Sequence, residues 1–208
     1  MLVNNFKELA NKCCKNFLGP RDLIVDIGSN DGSLLKCFQV KGFKVLGIEP
    51  TNISRIANDR GINTWQEFFN SKTVHKIIQE YGKAKLVTAA NVFAHIPSPI
   101  TLTQNIKELL TEDGVFVSES QYLLDTIKKT QLDEIYDEHL RYYSLKPYIK
   151  LMELAGMSVI NAERISAAGG SIRIFSRPGK HEASTNVKRI IKDEEEFGLY
   201  DLERLKQF

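Results

Sequence analysis

Apolar residues recur at helical spacing over residues 1–18, where Phe6, Leu9, Ala10, Cys13 and Phe17 alternate with Lys7, Lys12 and Lys15. This pattern predicts an amphipathic helix rather than a signal peptide, and it sets residues 1–20 apart as an N-terminal helix. From residue 21 onward, short apolar runs alternate with helical stretches. Strands are predicted at Leu23–Ile27, at Lys44–Ile48, weakly at 63–66, at 85–93 and at 114–118. Helices fill the gaps. The first runs through Leu34, Leu35 and Phe38, the second ends at Arg60 with Gly61 as its stop, and two more cover Ser71–Tyr81 and 99–110.

Strands that alternate with single helices connect by right-handed crossovers, which makes a parallel sheet covered on both faces. The expected class is α/β, Rossmann-like and doubly wound. The alternation lapses over residues 121–144, a polar and aromatic stretch rich in ionisable groups. Segments of that kind in α/β folds carry function. A helix at 145–155 resumes the pattern, and the runs Met157–Ile165 and 171–176 are joined by Ala167-Ala168-Gly169-Gly170. So short a connection joins only antiparallel strands, so the mostly parallel sheet has an antiparallel last strand and its domain extends over residues 21–178. The tail, 179–208, reads as a charged helix with Val187, Ile190, Ile191 and Phe197 on one face. Its stripe needs cover, and the tail is expected to begin a further, truncated domain.

Lys plus Arg number 28 against 26 for Asp plus Glu, a formal charge of +2. That is too small a footprint for nucleic acid or an anionic membrane, and small molecules are the expected partners. Cys13, Cys14 and Cys37 build neither a disulfide framework nor a CxxC pair for zinc. No metal is expected, and a reducing compartment is. No apolar run approaches the roughly 20 residues that cross a bilayer, so a cytoplasmic location is expected.

The chemistry starts at Asp26-Ile27-Gly28-Ser29-Asn30-Asp31-Gly32, where the first strand meets the first helix, the place at which open α/β sheets bind nucleotides. Dinucleotide enzymes put G-x-G-x-x-G there to face a pyrophosphate. Here Asn30 replaces the second glycine, and Asp26 and Asp31 crowd the turn. Two carboxylates suit a ligand with an ammonium and a sulfonium, S-adenosylmethionine, better than a diphosphate. Glu49, 21 residues after Gly28 and followed by Pro50, stands where an acidic side chain accepts hydrogen bonds from ribose hydroxyls. NAD enzymes place the same group there, so an oxidoreductase remains the alternative. Phe68 and Phe69 are candidate walls for adenine, with core packing as the rival role. Asn91 is a candidate for the methionine portion, or else a plain strand-end asparagine.

DIGSNDGSLL (26–35), GIEP (47–50), ANVFAHI (90–96), YDEHLRYYSL (136–145) and GGSIR (169–173) resemble, in this order, motifs of the C-methyltransferases of nucleotide-linked deoxysugars. The resemblance covers residues 6–177 and implies a class I methyltransferase core, S-adenosylmethionine as cofactor, and methylation of a sugar carbon beside a ketone. It also implies that Tyr136, Glu138, His139 and His95 lie at the substrate. A hydrogen alpha to a ketone is acidic enough for His or Glu to remove if the enolate is stabilised. His139 is the first choice for base, with Glu138 as its orienting partner or as the base itself. Tyr136 and His95 would hydrogen-bond the ketone oxygen or a neighbouring hydroxyl. Members of the family also carry a cysteine-rich zinc-binding domain before the core and an α/β domain after it. Zinc, and part of the nucleotide-sugar binding, are therefore not expected of these residues. Methylation of oxygen or nitrogen, or cofactor binding without turnover, are the remaining alternatives.

Overall fold

The computed structural model describes residues 2–131, 135 and 137–206. Helix α1 (Leu2–Asn16) precedes β1 (Leu23–Ile27), α2 (Ser33–Gln39), β2 (Lys44–Ile48), α3 (Ser54–Asp59), β3 (Thr64–Trp65), α4 (Ser71–Tyr81) and β4 (Ala84–Ala90). The chain continues through α5 (Pro99–Leu109), β5 (Leu110–Gln121), α6 (Leu123–Lys128), α7 (Leu145–Leu154), β6 (Met157–Ile165), β7 (Ser171–Pro178), α8 (Thr185–Phe197) and α9 (Leu202–Leu205).

One seven-stranded sheet takes the order β3-β2-β1-β4-β5-β7-β6. β1 pairs in parallel with β2 and β4, and β4 with β5; β7 alone runs antiparallel, inserted between β5 and β6. The expected α/β class is therefore present, with the last strand inside the sheet rather than at its edge. The tight Ala167–Gly169 turn makes this possible by sending β7 straight back along β6. Alternation along β1 divides its side chains between two cores. Leu23, Val25 and Ile27 face α4, α5, α7 and α8, while Ile24 faces α1, α2 and α3.

Three expectations about element boundaries are corrected. β4 stops at Ala90, because Asn91 turns to a positive φ of 58° and the chain then forms a short 3-10 turn over Phe93–His95. β5 runs from Leu110 to Gln121, well past the apolar run, because its polar end pairs with Arg173, Ile172 and Ser171 of β7. The tail is not one helix. Gly198, at φ 77°, ends α8, and the apolar stripe is already covered, since Val187 and Ile190 belong to the core shared with α7 and β6. The fully buried Glu194 of α8 accepts hydrogen bonds from the Leu145 amide (2.7 Å) and the Tyr122 hydroxyl (2.9 Å), capping α7 from a distance. Among the described residues, no helix is long and apolar enough to cross a membrane.

Candidate active site

The turn after β1 is built by close approach. Gly28 has φ 66°, its amide donates to the Ile48 carbonyl (2.8 Å), and a Cβ there would lie 2.6 Å from Val92 Cγ2. Only glycine fits both constraints. Asn30 is also left-handed, at φ 51°, and its amide donates to Glu49 Oε2 (3.2 Å) while Thr51 donates to Oε1 (2.9 Å). The nearly buried Glu49 carboxylate is thus fixed between the ends of β1 and β2. Pro50 has no amide hydrogen and follows as the chain leaves the sheet. Gly32, at φ 77°, closes the turn by donating to the Ser29 carbonyl (3.0 Å).

Asp26 lies deeper, 3 % exposed, with Oδ1 accepting from Thr88 Oγ1 of β4 at 2.6 Å. Burial pushes its carboxyl up to about 7 against the opposing Thr88 bond, and the negative Glu119 and Glu49 add to the rise. The unfolded chain loses this proton near 3.8, whereas the folded chain holds it to about 7. Stability from this group is therefore fully present below about pH 4 and is lost as the pH rises to about 7, a change on the order of 4 kcal/mol. Asp26→Asn removes the titration, so thermal unfolding should show the variant gaining on the wild type between pH 4 and pH 8. Parallel pH profiles would contradict this.

Asp31 is committed within the chain. Its oxygens accept from the Ser33 amide (3.1 Å) and from Arg60 (2.5 Å). Partial burial works against ionisation, but these bonds outweigh it and hold the carboxyl below its usual range. Asp31 thus supports the start of α2 and pairs with Arg60 at the rim of the turn. Phe68 is 74 % exposed, and its carbonyl accepts from Thr73 Oγ1 (2.8 Å) at the start of α4, while Phe69 packs against the core.

At the end of β4 the amide of Asn91 donates to the Glu119 carbonyl (2.8 Å), leaving its exposed side chain at the rim. The next residues are gripped by the segment 138–143. His95 Nδ1 bonds the Glu138 carbonyl (2.9 Å), and the Leu140 amide donates to the Ala94 carbonyl (2.9 Å). Arg141 donates to the carbonyls of Ile96 and Pro97, and the Tyr143 hydroxyl donates to the Phe93 carbonyl (3.2 Å). The result is a pair of imidazoles, His95 and His139, with ring centroids 4.9 Å apart, and Tyr142 edge-on to His139 at 5.7 Å.

A carbonyl can only accept, so His95 Nδ1 carries a proton and its Nε2 is left for a ligand. His139 Nδ1 is buried, and the ring stands between His95 and Tyr142. Glu138 contacts His95 through its main-chain carbonyl, and its carboxylate is exposed. Tyr136 lies outside the described residues. Arg141 and Val92 have parts in this assembly that the sequence reading missed. An arginine beside the histidine motif was the only signal for the first, and nothing local signals the second.

Arg173 of the GGSIR segment is fully buried and, among the described residues, bonds Glu119, Asn5 and Glu8 rather than His95, Glu138 or His139. Its Nε donates to Glu119 (2.6 Å), and its Nη atoms donate to Asn5 (2.8 Å) and Glu8 (3.3 Å) of α1. Asn5 closes the ring by donating to Glu119 (2.8 Å). The motif holds α1 to the centre of the sheet.

The Glu49 carboxylate, fixed beside a turn that only glycine can make, fits a ligand with a diol and would repel a diphosphate. Known proteins agree. The family model of the methyltransferase domain matches residues 5–162. The chain is 32% identical over 211 residues to C-methyltransferase NovU of Streptomyces niveus, covering 100% of this chain and 50% of that protein. It therefore spans about half the length of this curated relative. Among solved structures, the CcbJ methyltransferase of Streptomyces caelestis superposes with a TM-score of 0.67 at 12% identity, over 85% of this chain and 90% of that one. An S-adenosylmethionine-dependent methyltransferase of Clostridium acetobutylicum gives 0.65 at 13% identity, over 86% and 92% of the two chains. With this fold, this turn and these relatives, the chain belongs to the methyltransferase domain family, the S-adenosylmethionine-dependent enzymes of the class I Rossmann-like fold.

Proposed function

We propose that the chain is the catalytic core of a C-methyltransferase whose acceptor is a carbon beside the ketone of a nucleotide-linked deoxysugar. The observation that carries this reading is the imidazole pair clamped at the end of β4, one turn away from Val92 and the Gly28 turn. Methyl transfer to oxygen or nitrogen needs no carbon-acid base, whereas transfer to carbon does. The name of the Streptomyces niveus relative supports the same chemistry.

S-Adenosylmethionine, when bound, supplies an electrophilic methyl group on a sulfonium. Glu49 receives the ribose hydroxyls, and Asn30, Gly28 and Asn91 shape the surface between the ends of β1 and β4. His139 removes the proton alpha to the ketone. His95, protonated at both nitrogens, keeps its Nδ1 bond to the Glu138 carbonyl and donates from Nε2 to the ketone oxygen, stabilising the enolate. Tyr136 serves the same oxygen or an adjacent hydroxyl. The test is direct: supply S-adenosylmethionine and a panel of 4-keto deoxysugar nucleotides, then locate the new methyl by NMR. A methyl on oxygen or nitrogen would defeat the carbon-acid mechanism.

The cofactor placement has its own test. Glu49→Ala leaves hydroxyls of the ribose unpaired, so S-adenosylhomocysteine should bind more weakly by about 1 to 3 kcal/mol. Calorimetric titration reads this, and unchanged affinity would remove Glu49 from the site.

A further inference from the structure

Gln121, the last residue of β5, is 8 % exposed, yet neither Oε1 nor Nε2 of its buried amide has a hydrogen-bond partner among the described residues. Two polar residues on its own face and in its register are already satisfied, whereas the hydroxyl of the preceding Ser120 is also unpaired. Glu119, two residues earlier and on the same face of the strand, is held by Arg173 and Asn5. Ser171, its register partner on β7, donates to the Ala167 carbonyl (3.0 Å). A buried amide with its donor and acceptor both idle is destabilising unless a ligand completes it.

The sheet order says which ligand. Glu49 stands at the end of β2, Gly28 at β1, Asn91 and His95 at and beyond β4, and Gln121 at β5. Along that rim the ribose contact lies at one end, the imidazoles follow, and Gln121 lies on the far side of β4 from the cofactor turn.

We propose that Gln121 is a specificity-determining residue, whose amide both donates to and accepts from adjacent oxygen groups of the methyl acceptor, a ketone and a hydroxyl of the sugar. This rests on the acceptor named above. A vicinal keto-alcohol matches a primary amide, offering one acceptor and one group that donates and accepts.

The whole chain carries the test, as wild type, Gln121→Leu and Gln121→Met. Each is titrated with S-adenosylhomocysteine, then with a 4-keto deoxysugar nucleotide in its presence, and its thermal unfolding is recorded. Both variants should bind the sugar roughly tenfold or more weakly, through two lost hydrogen bonds. S-Adenosylhomocysteine affinity should not change. Their unfolding midpoints should equal or exceed that of the wild type, because an unpaired buried amide has been removed. A merely structural amide would instead lower the midpoint and spare the sugar, which overturns the proposal. Weaker S-adenosylhomocysteine binding with the sugar unaffected would assign the amide to the cofactor and overturn it as well. If the wild type binds no such sugar, the acceptor reading fails and this contact fails with it. If the wild type binds and both variants bind equally well, only the Gln121 contact falls.

Discussion

His139→Asn is expected to slow methyl transfer to carbon by roughly a hundredfold to ten-thousandfold, the contribution of a positioned base, and to leave S-adenosylhomocysteine affinity unchanged. His95→Asn should cost a similar factor by a different route. Its imidazole is oriented by the Glu138 carbonyl at 2.9 Å and stabilises the enolate rather than forming it. The two variants separate in deuterated solvent without methyl donor, where reversible enolisation exchanges the sugar's alpha hydrogen. His139→Asn should abolish that exchange, and His95→Asn should slow it. Glu138→Gln should be the mildest of the three, since the main chain makes the contact and the carboxylate is exposed. Full exchange in the His139 variant would transfer the base role to another group.

The largest stability effect is expected at Arg173. Replacing it with Met leaves Glu119, 3 % exposed, without its counter-charge and removes the bonds from Arg173 to Asn5 and Glu8 of α1. Breaking one side of a buried pair costs about 3 to 5 kcal/mol, which for a chain of this size lowers Tm by roughly 10 °C. Adding Glu119→Leu to the same chain removes the stranded charge and should restore much of the loss. A single-variant cost below about 1 kcal/mol, within the range of exposed ion pairs, would mean that Arg173 does not hold α1. The result also bears on function, because GGSIR resembles a family motif while its arginine bonds Glu119, Asn5 and Glu8 among the described residues.

Local spacing was enough to read most of the fold. β1 and β2 begin and end where the apolar runs do, and α4 spans the predicted Ser71–Tyr81, because strand and helix periodicities are set by residues within one or two turns of each other. The cofactor turn was legible for the same reason. Gly28, Asn30 and Glu49 belong to one strand-turn-helix-strand unit, and the structure brings them within hydrogen-bond reach without help from distant chain. The Arg60 partner of Asp31 was not legible, because a carboxylate in a turn looks alike in sequence whatever it pairs with.

The amino-acid sequence by itself determined the α/β class, the glycine turn, the acid at the end of β2 and the presence of two histidine motifs. Only the tertiary structure decided how those motifs combine. His95 and Glu138, 43 residues apart, meet because Arg141, Leu140 and Tyr143 bind the carbonyls that follow β4, and no local pattern encodes a contact between two irregular segments. The same holds for β7 entering between β5 and β6, for the polar end of β5 being strand, and for Arg173 serving α1 instead of a ligand. A buried polar residue is identified by what it meets, and those partners are fixed by the packing of the whole sheet rather than by its neighbours along the chain.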